Sequence, residues 1–218
     1  MKKKRILILA AHPDDETLGC GATIAKLSQI GHDVELVTFT NGEGARDNSD
    51  NLNRNDQLEA VCKILGIKKF SFGNFPDNRM DTIPLLEICK FLETKIKSSP
   101  DIIFTHHPDC LNIDHSIVYR STITVFRPQT KNEIEINSFH IPSSTEWNPL
   151  GNFKANLYFD VEGYVDKKIQ ALKCYDKEMR KYPHPRSYES VINNLKTNGN
   201  EVGLNYCEKF QLIRKVLL

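Results

Sequence analysis

The chain has 218 residues, a formal net charge of +1 and ordinary fractions of apolar and charged residues. This length is enough for one domain with a single hydrophobic core. The nearly balanced charge gives no electrostatic reason to expect binding to nucleic acid or to an anionic membrane surface. No apolar stretch approaches the length of a transmembrane helix, so we expect no integral membrane segment.

The N-terminal residues also argue against a targeting signal. The basic run at residues 2–5 leads into an apolar stretch, residues 6–11, that is too short for the apolar region of a signal peptide. The six cysteines are scattered and form no CxxC motif. We therefore expect reduced thiols in a cytoplasmic protein. Cys110 is the thiol of most interest, because it lies within a cluster of polar residues described below.

In chain order, the first half alternates short apolar runs with amphipathic stretches. Strands are predicted over residues 5–10, 34–39, 69–72 and 101–105, and helices over residues 18–30, 54–65, 84–97 and 115–126. Between them, residues 41–53 form a polar loop whose length indicates a functional surface. This alternation predicts an α/β fold with a mostly parallel sheet and helices on both faces.

The second half of the chain is less regular. Strands are predicted over residues 133–141 and 156–161, and a helix over residues 165–180. Ser187 is predicted to cap a further helix. No linker, repeat or low-complexity segment interrupts the chain, so we predict a single domain over residues 1–218.

Two clusters of polar residues directly follow predicted strands. Residues 11–16 (AHPDDE) follow the first strand, and residues 106–115 (HHPDCLNIDH) follow the fourth. In a doubly wound sheet, strands one and four are neighbours, and ligands bind where the carboxyl ends of such strands meet. We therefore expect the two clusters to face each other across one crevice.

The chemistry of these clusters favours a metal site. Two imidazoles and a carboxylate with an open fourth position are typical of catalytic zinc sites. The alternative is that each cluster is only a turn, with Asp14 or Asp15 capping the helix that follows. Because both clusters fall at the ligand-binding edge, we prefer the metal site.

Gly19 and Gly21 raise the question of a dinucleotide-binding loop. The glycine fingerprint is incomplete, because Ile24 occupies the third glycine position. The acidic residues 14–16 also fill the place where a pyrophosphate would need backbone N–H groups. We therefore interpret the two glycines as sites of close helix packing rather than as part of a nucleotide site.

At this point the motifs resemble those of the PIG-L/LmbE-like N-deacetylases. Residues 11–16 match the leading motif of that family in full, and residues 40–42 (TNG) are similar to its turn after the second strand. Residues 112–115 (NIDH) resemble its second, HPDH-type motif, and Arg54 fits the helix after the polar loop. The resemblance covers about the first 125 residues and implies a Rossmann-like (LmbE-like) fold with one zinc ion.

The resemblance also implies roles for individual residues. His12, Asp15 and His115 would be the zinc ligands, and Asp14 the general base. Asn112 stands where relatives have histidine; its side-chain amide could donate a hydrogen bond to an oxyanion but could not act as a general acid.

Two further residues complete the predicted chemistry. The proton for the leaving amine would come from Asp14 acting a second time or from His184, whose backbone is stiffened by a proline on each side. A loop histidine on the surface is the alternative for His184. Asp114 could orient His115 or Asn112.

The substrate contacts are predicted from residue type and context. Arg54 and Asp77 are plausible sugar contacts, although an exposed arginine at a helix start and a turn aspartate are equally consistent with the sequence. Trp147 could stack on a sugar ring or only close the core. Residues 75–79, 143–147 and 184–187 resemble segments of a bacterial subgroup of the family. We thus expect residues 1–126 to carry the metal site, and residues 127–218 to supply further strands, C-terminal helices and the substrate wall.

The resulting hypothesis is a zinc-dependent hydrolase that removes an N-acyl group, acetyl in the first instance, from an amino sugar. The sugar could be free or linked to a nucleotide or a lipid, and the chain could assemble as a homo-oligomer. One alternative is a zinc amidase that acts on an acylated amine other than a sugar. Another is a non-catalytic sugar- or nucleotide-binding module, which Asp14 argues against because binding alone requires no base.

Overall fold

The first strand is an apolar run whose residues from Ile6 to Ala10 are buried, as is typical of a central parallel strand. The computed structural model describes residues 2–42, 54–129 and 133–217. Strands in those ranges are β1 (Arg5–Ala10), β2 (Asp33–Thr38), β3 (Lys69–Phe72), β4 (Ile102–His106), β5 (Glu135–Phe139), β6 (Leu157–Asp160) and β7 (Cys207–Arg214). Helices are α1 (Asp15–Gln29), α2 (Arg54–Leu65), α3 (Leu85–Lys95), α4 (Ile113–Val125), α5 (Val165–Cys174) and α6 (Tyr188–Asn200).

Within the described residues, the seven strands form one sheet with the order β3-β2-β1-β4-β5-β7-β6. The first five strands in this order are parallel, and β7 runs antiparallel to both of its neighbours. The prediction of a single α/β domain with a mostly parallel sheet is confirmed. β1 and β4 pair directly, so the two polar clusters do follow neighbouring strands.

The core lies on both faces of the sheet, because successive side chains of β1 alternate between them. Ile6, Ile8 and Ala10 pack with apolar residues of α1, α2 and α5. Leu7 and Leu9 pack on the opposite face with residues of α3 and α4. The predicted placement of helices on both faces is therefore confirmed.

Helix α1 is broken in its middle, and a buried ion pair satisfies the broken ends. Cys20 has non-helical backbone angles (φ −147°, ψ 22°). The carboxylate of Glu208, on β7, accepts the backbone N–H groups of Ala22 and Thr23, which follow the break directly. Lys168 on α5 donates to Glu208 at 2.6 Å and to the Leu18 carbonyl at 2.8 Å. The C-terminal segments thus hold α1 in shape from a distance in sequence.

Gly19 lies beside this break and confirms the prediction of close packing. A Cβ atom at Gly19 would lie 2.6 Å from Cδ2 of Phe139 on β5, closer than real side chains approach. Any larger residue there would clash with the Phe139 ring, so either the ring or α1 would have to shift.

Several element boundaries differ from the predictions. Helix α1 begins at Asp15 and α4 at Ile113, so both polar clusters extend into first helical turns. The helix predicted over residues 165–180 ends at Cys174, whose carbonyl accepts a hydrogen bond from Gln57, and a 3-10 turn over Asp176–Glu178 follows. Ser187 caps α6 as predicted, through a bond from the Ser190 N–H.

Strand β7 is absent from the predictions. Its buried face includes a charged residue, Glu208, whose partner Lys168 lies 40 residues away in the chain. The charged residue therefore interrupts the apolar alternation that would predict this strand.

Two global expectations concern the environment of the chain. None of the helices that the structure describes is long and apolar enough to cross a membrane. All six cysteines are free.

Candidate metal and active site

The carboxyl ends of β1 and β4 bring three metal-ligating side chains together. His12 and Asp15 lie just beyond β1, and His115 lies in the first turn of α4, which follows β4. The Asp15 carboxylate is central: its Oδ2 lies 3.1 Å from Nδ1 of His12 and 3.2 Å from Nε2 of His115. One potential ligand atom from each of the three residues lies within 4.8 Å of the others.

The three side chains fit a bound zinc ion. Two ring nitrogens and a carboxylate oxygen are a donor set that zinc prefers. Two buried polar atoms here, Oδ1 of Asp15 and Nε2 of His115, make no hydrogen bond, although such atoms normally have partners. Burial opposes charge on both groups, yet their mutual attraction lowers the pKa of Asp15 well below its usual value and raises the pKa of His115 to about 9. The negative charge of the Asp15 carboxylate would likewise stabilise a bound metal ion.

The outer nitrogen of His12 is held by carboxylates. Its Nε2 lies 3.0 Å from Oδ2 of Asp114 and 3.0 Å from Oδ1 of Asp77. Asp114 is itself fixed by backbone N–H groups of Asn78 (2.7 Å) and Met80 (3.0 Å). The Asp114 carboxylate thus contacts His12, and the prediction that it orients His115 or Asn112 is wrong. The reason is that the segment before Met80 folds over the His12 ring and holds the carboxylate there.

The outer nitrogen of His115 faces a thiol. Its Nδ1 lies 3.0 Å from Sγ of Cys110, which also contacts Oγ of Ser144 at 3.0 Å and Oγ1 of Thr145 at 3.3 Å. On the other side, the His106 ring stacks on the His115 ring with a centroid distance of 3.9 Å. The outer nitrogen of His12 thus contacts carboxylates, whereas the outer nitrogen of His115 contacts a thiol.

Asp14 does not act as a helix cap. It precedes α1 with a positive φ of 117° and makes no capping bond through its side chain. Its Oδ2 instead lies 3.1 Å from Nη1 of Arg186. Burial raises the pKa of the Asp14 carboxyl to about 7, against the opposing effect of Arg186. Strained backbone of this kind is commonly found at functional sites, and the alternative in which Asp14 only caps α1 is wrong.

Sequence reasoning missed Arg186. It lies in the segment 184–187, from which we selected His184 because of the flanking prolines. The Nε of Arg186 bonds the Pro142 carbonyl and Oγ of Ser143, so the guanidinium is fixed from one side while it contacts Asp14 on the other. A charged residue within a motif-like segment was the available signal.

A polar cavity of about 190 Å³ is lined by two of the candidate ligands, His12 and His115. Six of the predicted site residues line its walls: His12, Asp14, Arg54, Asp77, Asn112 and His115. The other described residues that line it are Pro13, Gly42, Asn78, Glu178 and Arg186.

Two of the residues in this wall already have firm partners. The Nη2 of Arg54 lies 2.7 Å from Oε1 of Glu178. Asn112 caps α4 by accepting the Asp114 N–H, and its Nδ2 donates to Oδ1 of Asn78. Since an amide nitrogen carries two hydrogens, Asn112 can hold this position and still present one to a ligand.

Other predicted residues are not part of this wall. Trp147 and His184 contact each other, with ring centroids 5.6 Å apart, and neither lines the cavity. His107, from the second cluster, points away and contacts Oε1 of Gln211. The predicted functional loop falls outside the described residues from position 43 to 53. The roles of Trp147, His184 and that loop stay predictions.

Comparisons with known proteins agree with this geometry. The family model described as "PIG-L: GlcNAc-PI de-N-acetylase" matches residues 7–126, which include both clusters. The chain is 32% identical to the uncharacterized deacetylase YaiS of Escherichia coli K12, over 79% of this chain and 90% of that protein.

A second relative shares only part of its length with this chain. It is a 1D-myo-inositol 2-acetamido-2-deoxy-alpha-D-glucopyranoside deacetylase of Nocardioides sp., 37% identical over 35% of this chain and 31% of that protein.

The fold also matches a solved deacetylase structure. N,N'-diacetylchitobiose deacetylase from Pyrococcus horikoshii superposes with a TM-score of 0.77, at 23% identity, over 96% of this chain and 84% of that one. At this identity the match concerns the fold alone, and it confirms the expectation of an LmbE-like architecture.

Proposed function

This chain belongs to the PIG-L family of N-deacetylases, and we propose that it is a zinc-dependent hydrolase that removes an N-acyl group, acetyl in the first instance, from an amino sugar. The observation that carries the proposal is the position of Asp14. Its buried carboxylate lines the same cavity as His12 and His115, beside a complete set of zinc donors. A site that only bound a ligand would need no such group.

The metal would be held by His12, Asp15 and His115. When bound there, zinc supplies Lewis-acid activation of water and of the acyl carbonyl. The chain contributes the orientation of the ligands, because each imidazole has its outer nitrogen fixed by another side chain. It also contributes the buried carboxylate of Asp15, which keeps positive charge stable in a dry site.

Asp14 would move the proton. In amide hydrolysis the attacking water must lose a proton and the departing nitrogen must gain one, while the C–N bond breaks and a carboxylate forms. Asp14 takes the first proton as general base and returns it to the amine, so that one group serves both steps. Arg186 keeps the Asp14 carboxylate in place through their 3.1 Å contact. His184 is the alternative donor to the amine.

The polar wall of the cavity would hold the rest of the substrate. Arg54 and Asp77 present a cation and a carboxylate to the hydroxyl groups of a sugar. The remaining amide hydrogen of Asn112 would contact the oxyanion that develops on the acyl oxygen. The Nocardioides and Pyrococcus deacetylases are both named for substrates that are acetylated amino sugars, which supports this substrate class.

We further propose a cytoplasmic reaction on a small-molecule sugar that is free or linked to a nucleotide or lipid. The free cysteines agree with a reducing compartment. The alternative substrate is an acylated amine that is not a sugar.

One experiment tests the proposed metal, reaction and substrate class together. Zinc content is measured by elemental analysis, and acetate release is measured from N-acetylglucosamine, its nucleotide-linked and lipid-linked conjugates and N-acetylated amino acids. We expect about one zinc per chain and acetate release from a sugar substrate, lost on chelation and restored by zinc. Zinc binding with release only from amino acids would support the non-sugar amidase, and binding of sugars without any acetate release would support the non-catalytic module.

A further inference from the structure

The environment of Cys110 has a feature that the proposed reaction does not use. Its sulfur is buried and is contacted by three polar atoms: Nδ1 of His115, Oγ of Ser144 and Oγ1 of Thr145. Metal-bound histidines usually donate their outer N–H to a carboxylate, a backbone carbonyl or water. At His115 this position is occupied by a thiol.

The hydrogen-bond directions around the sulfur are constrained by the backbone. Oγ1 of Thr145 accepts the Ile141 N–H at 2.9 Å, and Oγ of Ser144 accepts the Asn112 N–H at 3.4 Å. Each hydroxyl therefore still has its own hydrogen to give, and Sγ of Cys110 is the acceptor in reach. The sulfur can therefore accept hydrogen bonds from both hydroxyls, and it lies within reach of Nδ1 of His115.

This arrangement decides which nitrogen of His115 is available to a metal. If Nδ1 carries the hydrogen and donates it to Cys110, then Nε2 has a free lone pair. Nε2 is also the nitrogen that lies 3.2 Å from Asp15 and makes no hydrogen bond. The ring is further fixed by stacking on His106.

We propose that Cys110 is a positioning residue for the metal ligand His115, and that Ser144 and Thr145 hold its sulfur in place. The segment 143–147 thereby acts on the metal site through the thiol, whereas its sequence suggested only a substrate contact at Trp147. This inference rests on the proposed zinc site.

The test compares Cys110→Ala and Cys110→Ser with Cys89→Ala in the full-length protein. Cys89 is a matched control, because it is also a cysteine with 6% exposure but lies within α3 and does not line the cavity. The dissociation constant for Zn²⁺ is measured by competition with a chelator, and the visible absorption of the Co²⁺-loaded protein reports the ligand geometry.

We expect Cys110→Ala to weaken zinc binding about 10- to 100-fold, the usual cost of losing such an outer partner, and to change the Co²⁺ spectrum. Cys110→Ser retains an acceptor and should recover part of the affinity. Cys89→Ala should lower thermal stability about as much as Cys110→Ala does, without changing the zinc dissociation constant or the Co²⁺ spectrum. The double variant Ser144→Ala/Thr145→Val should weaken zinc binding less than Cys110→Ala does.

Two outcomes would contradict the positioning role of Cys110, and a third would contradict the metal site itself. If wild-type protein binds zinc tightly and both Cys110 variants bind it equally well with unchanged Co²⁺ spectra, the positioning role is wrong while the metal site stands. The role is also wrong if Cys89→Ala and Cys110→Ala weaken binding equally, because the effect would then follow from general destabilisation. If wild-type protein binds neither ion, the proposed metal site itself fails.

Discussion

The site is built from two regions that are positioned in different ways. The candidate ligands His12, Asp15 and His115 lie just beyond parallel strands, so the sheet itself fixes where they are. The C-terminal contributions, Arg186 and Ser144 among them, come from irregular segments that are fixed by hydrogen bonds and ion pairs. Backbone topology places the metal donors, whereas side-chain contacts place the groups that surround them.

This difference separates two tasks. In the proposed site, the strand-end region would hold the zinc ion, and the C-terminal segments would position Asp14 and Cys110, the outer contact of His115. Substitution of a candidate ligand should therefore remove the metal, whereas substitution of Asp14 or of its contact Arg186 should change the rate with the metal retained.

The largest effect is expected for His115→Ala, which removes a ligand from the strand-end region. Zinc content should fall to near zero and activity by more than about 10³-fold, since a metal contributes several kcal/mol to transition-state stabilisation. His107→Ala is the control, because His107 belongs to the same cluster but contacts Gln211. Full zinc occupancy in His115→Ala would remove this residue from the ligand set.

Asp14→Asn should lower turnover by about 10²–10⁴-fold, because it removes the general base and keeps the shape of the side chain. Elemental analysis should show unchanged zinc. Asp109→Asn serves as control, since Asp109 lies in the second cluster and contacts the Asn152 N–H outside the cavity wall. Parallel loss of zinc and activity would instead make Asp14 a ligand and erase the distinction between the two tasks.

Arg186→Gln should lower kcat/KM by about 10- to 150-fold, the equivalent of one charge-assisted hydrogen bond. The zinc dissociation constant should stay the same. Arg180→Gln, six residues earlier, removes a guanidinium that donates to the backbone carbonyls of Lys177 and Met179, and it should have little effect. Unchanged kinetics in Arg186→Gln would show that the contact with Asp14 is structural.

His184→Gln distinguishes the two proton donors considered for the amine. If Asp14 acts twice, kcat should fall less than about tenfold, because His184 contacts Trp147 and the Arg186 N–H rather than the cavity. A fall of 10² or more in pre-steady-state turnover would assign the proton transfer to His184.

The smallest effect is expected for Trp147→Ala. Its ring is half exposed, and if it only contacts the distal part of the substrate, KM should rise about two- to tenfold with kcat unchanged. Leu150→Ala, at a more exposed apolar residue nearby in the chain, is the control. A change in kcat alone would contradict a binding role.

The two regions also differ in how far the sequence predicts them. Strand-end residues were predictable, because apolar periodicity locates the strands and parallel topology then brings their ends together. Arg186 was not, since its contact with Asp14 depends on the path of a loop that no periodicity describes. The same reason applies to β7, whose buried Glu208 becomes intelligible only once Lys168 is beside it. Asp114 was recognised as a supporting residue, but its partner depended on how the segment before Met80 folds.

The broken helix α1 has a consequence for the order in which the chain acquires its structure. The bonds that close the break join Ala22 and Thr23 to a residue more than 180 positions later, and Asp14 meets its arginine across 172 positions. Contacts of such sequence separation form late, because they require the closure of very long loops. A nascent chain that has reached α4 already contains every candidate ligand. At that stage α1 still lacks the Glu208 carboxylate that stabilises it, and Asp14 still lacks its contact with Arg186. Metal-binding capacity should therefore precede catalytic competence during synthesis.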